Sequence, residues 1–256
     1  MIDLHCHILP GVDDGAQTFE DSIQMAKLAV EEGITHILAT PHHQKRSWIN
    51  AKADVIMKVS ELQSKLDARN IDLTIFPGQE VSLYGELIKD IDKDEILFTD
   101  ESQTYVMIEF PTVSIPTYAE RLFYELQLNG KTPVIVHPER NHQILEHPNR
   151  LKDFIDKGAL AQLTAASYTG GFGKKTQKVS RQLIEANLVH FISSDAHNTG
   201  NRAFHMNEAY DLLTKEYGRS MSNAFHQTTK DLINGDPVIT LETYQVKKTF
   251  STKWFK

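Results

Sequence analysis

Ile2-Asp3-Leu4-His5-Cys6-His7-Ile8 is a short apolar run interrupted by two histidines one residue apart. In a β-strand alternate side chains share a face, so His5 and His7 point together and Cys6 points away. Two neutral imidazoles converging from one strand can grip a single metal ion. Outward from this run, similar short apolar stretches recur at 36–40, 73–76, 105–110, 133–136, 160–163 and 190–193. Most are bounded by Gly, Pro or polar residues, as buried parallel strands are.

Helical patterns fill the gaps. Residues 18–32 open with Thr18-x-x-Asp21, a variant of the capping box, and stop at Gly33. Residues 51–70 carry Val55, Val59, Leu62 and Leu66 at helical spacing. Residues 116–129 begin with Pro116 at a first-turn position and end before Gly130. Further helices are predicted at 150–157, 176–187, 207–216 and 220–234. Seven strands alternating with helices predict a parallel α/β architecture. A closed barrel is preferred to an open sheet, because polar residues follow nearly every strand and a barrel brings those ends to one rim. The expectation is a distorted seven-stranded TIM-like barrel spanning 1–240, followed by a basic, aromatic tail at 241–256. That tail is read as a solvated terminus or as a docking segment for an acidic partner, another subunit or a membrane surface.

Composition narrows the function. A chain of 256 residues with formal net charge −7 lacks the basic face of a general nucleic-acid binder. Its single cysteine excludes an internal disulfide and fits a reducing compartment. No apolar stretch approaches the ~20 residues that span a bilayer. The N-terminus carries Asp3, His5 and His7 where a signal peptide needs a basic region and an apolar core. A cytoplasmic protein is expected.

The candidate site residues sit at strand ends: His5 and His7, then Asp14; His42 and His43 after Thr40-Pro41; Glu80; Glu109; His137; Asp195 and His197. His and carboxylate without thiolate suit Mn, Fe, Zn or Mg. A carboxylate can bridge ions, and metals ~3.5–4 Å apart can clamp the attacking and leaving oxygens of a displacement. Each residue alone has a plainer reading. A single His at a strand end is more often a satisfied polar group, and Asp13-Asp14-Gly15 alone is a turn signal. Glu109 is different, because an unpaired carboxylate inside an apolar run is costly to bury. Arg140, three residues after His137, and Arg202, five after His197, suit an anion such as phosphate. Cys6 has no Arg at the short spacing a thiol phosphate loop requires, and reads as a small buried hydrophobe.

The combination His5-x-His7 with Asp14-Gly15, Thr40-Pro41-His42-His43, Gly78-Gln79-Glu80, Ile108-Glu109-Phe110, His137-Pro138-Glu139-Arg140-Asn141 and Ser194-Asp195-Ala196-His197-Asn198 resembles the polymerase-and-histidinol-phosphatase (PHP) superfamily. Within it, the chain is most similar to the bacterial CpsB/CapC-type protein-tyrosine phosphatases of capsule and exopolysaccharide control. The resemblance implies a PHP barrel with three divalent ions, manganese favoured. One ion would take His5, His7, Glu80 and Asp195. A second would take Glu80, Glu109 and His137, and a third Asp14, His42 and His197. Arg140 and Arg202 would bind phosphate, Asp14 could act as an acid, and His43 has no ligand role. The implied substrate is a phosphotyrosine protein, namely a cytoplasmic tyrosine kinase, and a homo-oligomer is compatible. The alternatives are a small-molecule phosphatase of the histidinol-phosphate kind and a non-catalytic metal-binding module.

Overall fold

The structure is a computed structural model, described here over residues 1–247. Its elements run β1 (Ile2–Cys6), α1 (Phe19–Glu31), β2 (His36–Ala39), β3 (His42–His43), α2 (Lys52–Asp67), β4 (Thr74–Pro77), β5 (Glu80–Ser82), α3 (Leu87–Asp92), β6 (Tyr105–Glu109), α4 (Ala119–Leu128), β7 (Thr132–Val136), α5 (His142–Glu146), α6 (Asn149–Ile155), β8 (Leu160–Thr164), α7 (Ala165–Thr169), α8 (Lys174–Glu185), β9 (Phe191–Ser193), α9 (Met206–Tyr217) and α10 (Arg219–Asn234). It is a mixed α/β fold in which every paired strand is parallel.

All seven predicted strands are present, within a residue or two of their expected bounds. The strands divide into two sheets, β1-β2-β4 and β3-β5-β6-β7-β8-β9, rather than one of seven. The two unpredicted strands, β3 and β5, follow β2 and β4 within three residues. Three or fewer residues show no periodicity in a sequence. The short helices α3, α5 and α7 escape a periodic reading for the same reason. The predicted cap of α1 is present: Thr18 Oγ1 accepts from Asp21 N, and Thr18 N donates to the Asp21 carboxylate. Pro116 lies outside its helix, in a turn whose carbonyl accepts from Ala119 N at 3.0 Å, so α4 starts three residues late.

Apart from the edge strand β4, whose Thr74 and Phe76 are exposed, the strands bury both faces. Leu4, Leu38, Tyr105, Met107, Val134, Val136, Leu160 and Phe191 form one cluster with Leu232 of α10. Ile37, Val106, Ile108, Ile135, Leu163 and Ile192 pack in a second cluster with the helices. Such two-sided burial is why the runs are apolar throughout instead of alternating. β1 carries an irregularity that the run alone does not reveal. Asp3 pairs with Ile37 and Cys6 with Ala39, so β1 holds one extra residue, a bulge. Leu4 therefore joins the first cluster and Cys6 the second, although perfect alternation would put both on one face. After 240 the chain remains attached to the body. Tyr244 N donates to Ala186 O at 2.9 Å, and Val246 N to Asn149 Oδ1 at 2.7 Å. The rest of the basic, aromatic tail, 248–256, lies outside the described residues.

Candidate metal centre

His5 is the penultimate residue of β1 and Glu109 ends β6. His7 follows β1, His137 follows β7, and Asp195 and His197 follow β9, while His42 and Glu80 open β3 and β5 just after β2 and β4. His5 Nδ1 donates to Gln162 Oε1 at 3.2 Å, and His7 Nδ1 to Asp13 Oδ2 at 2.7 Å. His197 Nδ1 donates to the Asp195 carbonyl at 2.9 Å. Anchoring Nδ1 in this way turns each Nε2 lone pair toward the centre, as in histidines held for metals. The His5 and His7 Nε2 atoms are 3.3 Å apart. Asp195 Oδ1 lies 3.4 and 3.3 Å from them, and Glu80 oxygens 3.6 and 3.5 Å. Glu80 also meets His137 Nε2 at 2.6 Å and touches His42 Nδ1. Asp14 Oδ1 is 3.2 Å from His42 Nε2 and 3.3 Å from His197 Nε2. Glu109 stands 3.9 Å from His137 Nε2 and 4.0 Å from His42 Nδ1.

These nine residues fall into four overlapping groups whose donor atoms lie within 4.8 Å of one another: His7-Asp14-His42-His197, His5-His7-Glu80, His5-His137-Asp195 and His42-Glu80-Glu109. They include every expected ligand, while His43 turns away and donates from Nδ1 to the Asn50 carbonyl at 2.9 Å. The donor set fits divalent cations. Four ligands at the ~2.0–2.1 Å usual for N and O donors stand ~3.3 Å apart around an ion, the spacing seen about His5 and His7. His197 Nε2 is buried without a hydrogen-bond partner. Among the described residues, five carboxylates (Asp13, Asp14, Glu80, Glu109 and Asp195) also outnumber the lysine and two arginines beside them, Lys45, Arg140 and Arg202.

The ionisation states follow from these neighbours. Burial opposes charge on His7, but Asp13, Asp195 and Glu80 raise its pKa to about 10. Burial likewise works against Asp13 ionisation, yet His7 and two backbone N–H donors lower its pKa to about 2. Glu80 and Asp195 are held well below the carboxylate range despite burial, Glu80 by His42 and His5 and Asp195 chiefly by Arg140. Asp14 is held ionised by His197 and His42 against its own desolvation. Burial and the charge on His7 push His197 down to about 4.

Arg140 binds Asp195, while Arg202 reaches Asp195 at 3.1 Å and Asp14 at 3.3 Å. Both expected guanidiniums thus border the cluster, and Arg202 Nε is buried without a partner. Two candidate ligands have left-handed backbones, His137 with φ 35° and Asp195 with φ 52°. Such strain in non-glycine residues concentrates at functional sites. A Cβ at Gly15 would overlap His7, so only glycine lets the Asp13-Asp14 turn lie this close. Cys6 is buried with Sγ 3.7 Å from the Ala196 carbonyl, and burial raises its pKa well above the usual thiol value. It has no nucleophilic character.

Sequence reading missed three contributors. Asp13, read as a turn residue, anchors His7 and accepts from His42 N at 3.0 Å. Gln162 accepts from both His5 and His137 N, the latter at 3.1 Å. Its signal was a polar residue inside the apolar run Leu160-Ala161-Gln162-Leu163. Lys45 Nζ donates to Glu109 Oε1 at 2.8 Å and lies 3.1 Å from His42 Nε2. A lysine in a polar loop carries no such signal.

Known proteins resemble this chain over most of its length. The family described as capsular polysaccharide synthesis, CpsB/CapC, matches residues 1–234. Tyrosine-protein phosphatase YwqE of Bacillus subtilis (strain 168) is 44% identical over 248 residues, covering 97% of both chains. CapC of Staphylococcus aureus is 38% identical over 256 residues, covering 100% of this chain and 97% of that protein. A crystal structure from the pair YwqE of Bacillus subtilis and CpsB of Streptococcus pneumoniae, described as unique metal-dependent tyrosine phosphatases, matches with a TM-score of 0.93 at 44% identity, covering 97% of this chain and 100% of that one. The chain belongs to the CpsB/CapC family of capsular polysaccharide synthesis.

Proposed function

We propose that this chain is a metal-dependent protein-tyrosine phosphatase. The observation that carries the reading is the convergence of nine buried or rim-facing His, Asp and Glu side chains beside two arginines. His5, His7, Asp14, His42, Glu80, Glu109, His137, Asp195 and His197 would hold three divalent ions, manganese favoured. Such ions supply Lewis acidity and a water ionised near neutral pH. Arg140 and Arg202 supply fixed donors for phosphate oxygens, where charge stabilisation contributes most. Asp14, kept ionised, suits a ligand better than a proton donor. A phenolate leaving group, with pKa ~10, needs less protonation than an alkoxide.

The same reading covers the frame. Asp195 N donates to the His5 carbonyl and His7 N to the Ala196 carbonyl, both at 2.9 Å. These bonds join β1 to the run after β9 and support one distorted seven-stranded barrel over 1–240. β3 and β5 are then continuations of β2 and β4. Among the described residues no helix is long and apolar enough to cross a membrane. The natural substrate we infer is a cytoplasmic tyrosine kinase of capsule synthesis.

Elemental analysis of the purified protein, with turnover of a phosphotyrosyl peptide and of histidinol phosphate, tests the reading. Bound manganese is expected, with loss of peptide turnover on chelation and recovery on metal return. Full activity after complete metal removal, or preferred turnover of histidinol phosphate, would overturn it.

A further inference from the structure

Among the described residues, two aromatic side chains, Trp48 and Phe172, pack directly on members of the site, and neither is needed to complete it. Trp48 lies in the loop 44–50, between β3 and α2. That loop is closed by Lys45 N to Trp48 O at 3.3 Å and Trp48 N to Lys45 O at 2.9 Å. Gln44 and Arg46 adopt left-handed backbones, with φ 58° and 53°. This conformation is costly for side-chain-bearing residues and persists where the surroundings impose it. The result is that Lys45 points at Glu109, while Trp48 stacks on His42 with ring centroids 5.3 Å apart and planes 16° from parallel. Trp48 remains partly exposed.

Phe172 lies in the Gly171-Phe172-Gly173 turn before α8 and is 38% exposed. Its ring lies 4.9 Å from the Arg140 guanidinium carbon. Arg140 binds Asp195, so this ring borders the metal cluster from the side of the phosphate-binding arginine. Each ring covers one charged or metal-facing group and leaves apolar surface at the rim. An aryl ring joined to phosphate through one oxygen must sit next to the group holding that phosphate. Ring-on-ring packing gives it a partner that an alkyl chain cannot use as well.

We propose that Trp48 and Phe172 form an aryl-recognition rim that takes the phenyl ring of the phosphorylated side chain. The assignment rests on the phosphohydrolase reading above, and separates tyrosyl from alkyl phosphate esters.

The test uses the full chain loaded with manganese and non-hydrolysable phenylphosphonate and ethylphosphonate. The chain has two tryptophans, so Trp254→Phe leaves Trp48 as the only emitter. Phenylphosphonate should bind roughly three- to tenfold tighter than ethylphosphonate and change Trp48 emission. With affinities for the two phosphonates read by titration calorimetry, Trp48→Ala and Phe172→Ala should each reduce that preference, and Trp48→Phe should restore it. Equal affinity for the two phosphonates, or a preference untouched by both alanine variants, overturns the rim. Phenyl preference without phosphotyrosyl turnover leaves the rim standing and removes the catalytic reading. Turnover without phenyl preference removes the rim alone.

Discussion

His7 and His190 are both buried, yet they sit at opposite ends of the parallel strands and in opposite charge states. His7 follows β1 at the C-terminal end and meets Asp13, Asp195 and Glu80, which raise its pKa to about 10. His190 precedes β9 at the N-terminal end, where its Nδ1 accepts from Ala161 N at 3.0 Å and its Nε2 has no partner. With no carboxylate to offset burial, its pKa falls to about 4. Burial alone therefore does not mark a functional histidine; convergence with carboxylates does. Cavity size is equally uninformative. A cavity of about 680 Å³ lies among Ile2, His36, Phe76 and Phe98, whereas the hollow beside Glu109, His137 and Arg140 measures about 60 Å³.

The sharpest way to break this contrast is Glu80→Gln. Glu80 is shared among His5, His7, His42 and His137, so its charge serves more of the cluster than any other side chain. Phosphotyrosyl kcat/KM should fall on the order of 10³-fold, about 4 kcal/mol, with metal content reduced and the far-ultraviolet dichroism retained. Wild-type turnover by this variant would end the claim that convergence makes the centre.

The other end of the strands predicts a stability effect. Unfolded His190 titrates near ~6.5 and the folded one near 4, so between these values the unfolded chain binds more protons. Stability from this residue is present above ~6.5 and is lost as pH falls through the window, by up to about 3 kcal/mol. Urea unfolding of wild type and His190→Gln at pH 7 and pH 4.5 measures it, with the variant expected to show the flatter dependence. Parallel profiles would mean that burial does not hold His190 neutral.

The smallest effect concerns the proton on His7. Its folded pKa lies above neutrality, so its contribution to metal-free stability is present below ~6.5 and lost as pH rises through about 10. Metal uptake must displace that proton. Manganese affinity, measured calorimetrically in two buffers of different ionisation enthalpy, should tighten by up to about tenfold per pH unit between 6 and 8, with proton release. Uptake without protons would show that His7 is neutral in the metal-free chain.

Much of this was legible from residues alone. The apolar runs located seven strands, six of them because strands buried on both faces must be apolar throughout, and Thr18 and Asp21 marked a helix start through their own hydrogen bonds. The nine converging residues and both arginines were visible as polar groups at strand ends. Asp13 was not, since Asp-Asp-Gly is satisfied as a turn and nothing local distinguishes the carboxylate that anchors from the one that faces the cluster. Lys45 and Trp48 were invisible because their positions depend on the left-handed residues Gln44 and Arg46 in a seven-residue loop.

The sequence by itself determined the seven longer apolar runs that become strands, the parallel class and the residue types of the candidate site, because these depend on residue type and spacing along one strand. Only the tertiary structure decided how the residues share partners. The bulge in β1 separates Leu4 from Cys6, and the fold brings His5 against Glu80 and Asp195, 75 and 190 residues away. Alternation is a property of one strand, whereas a bulge is set by the register of two, and register is fixed by packing against neighbours that the local sequence does not contain.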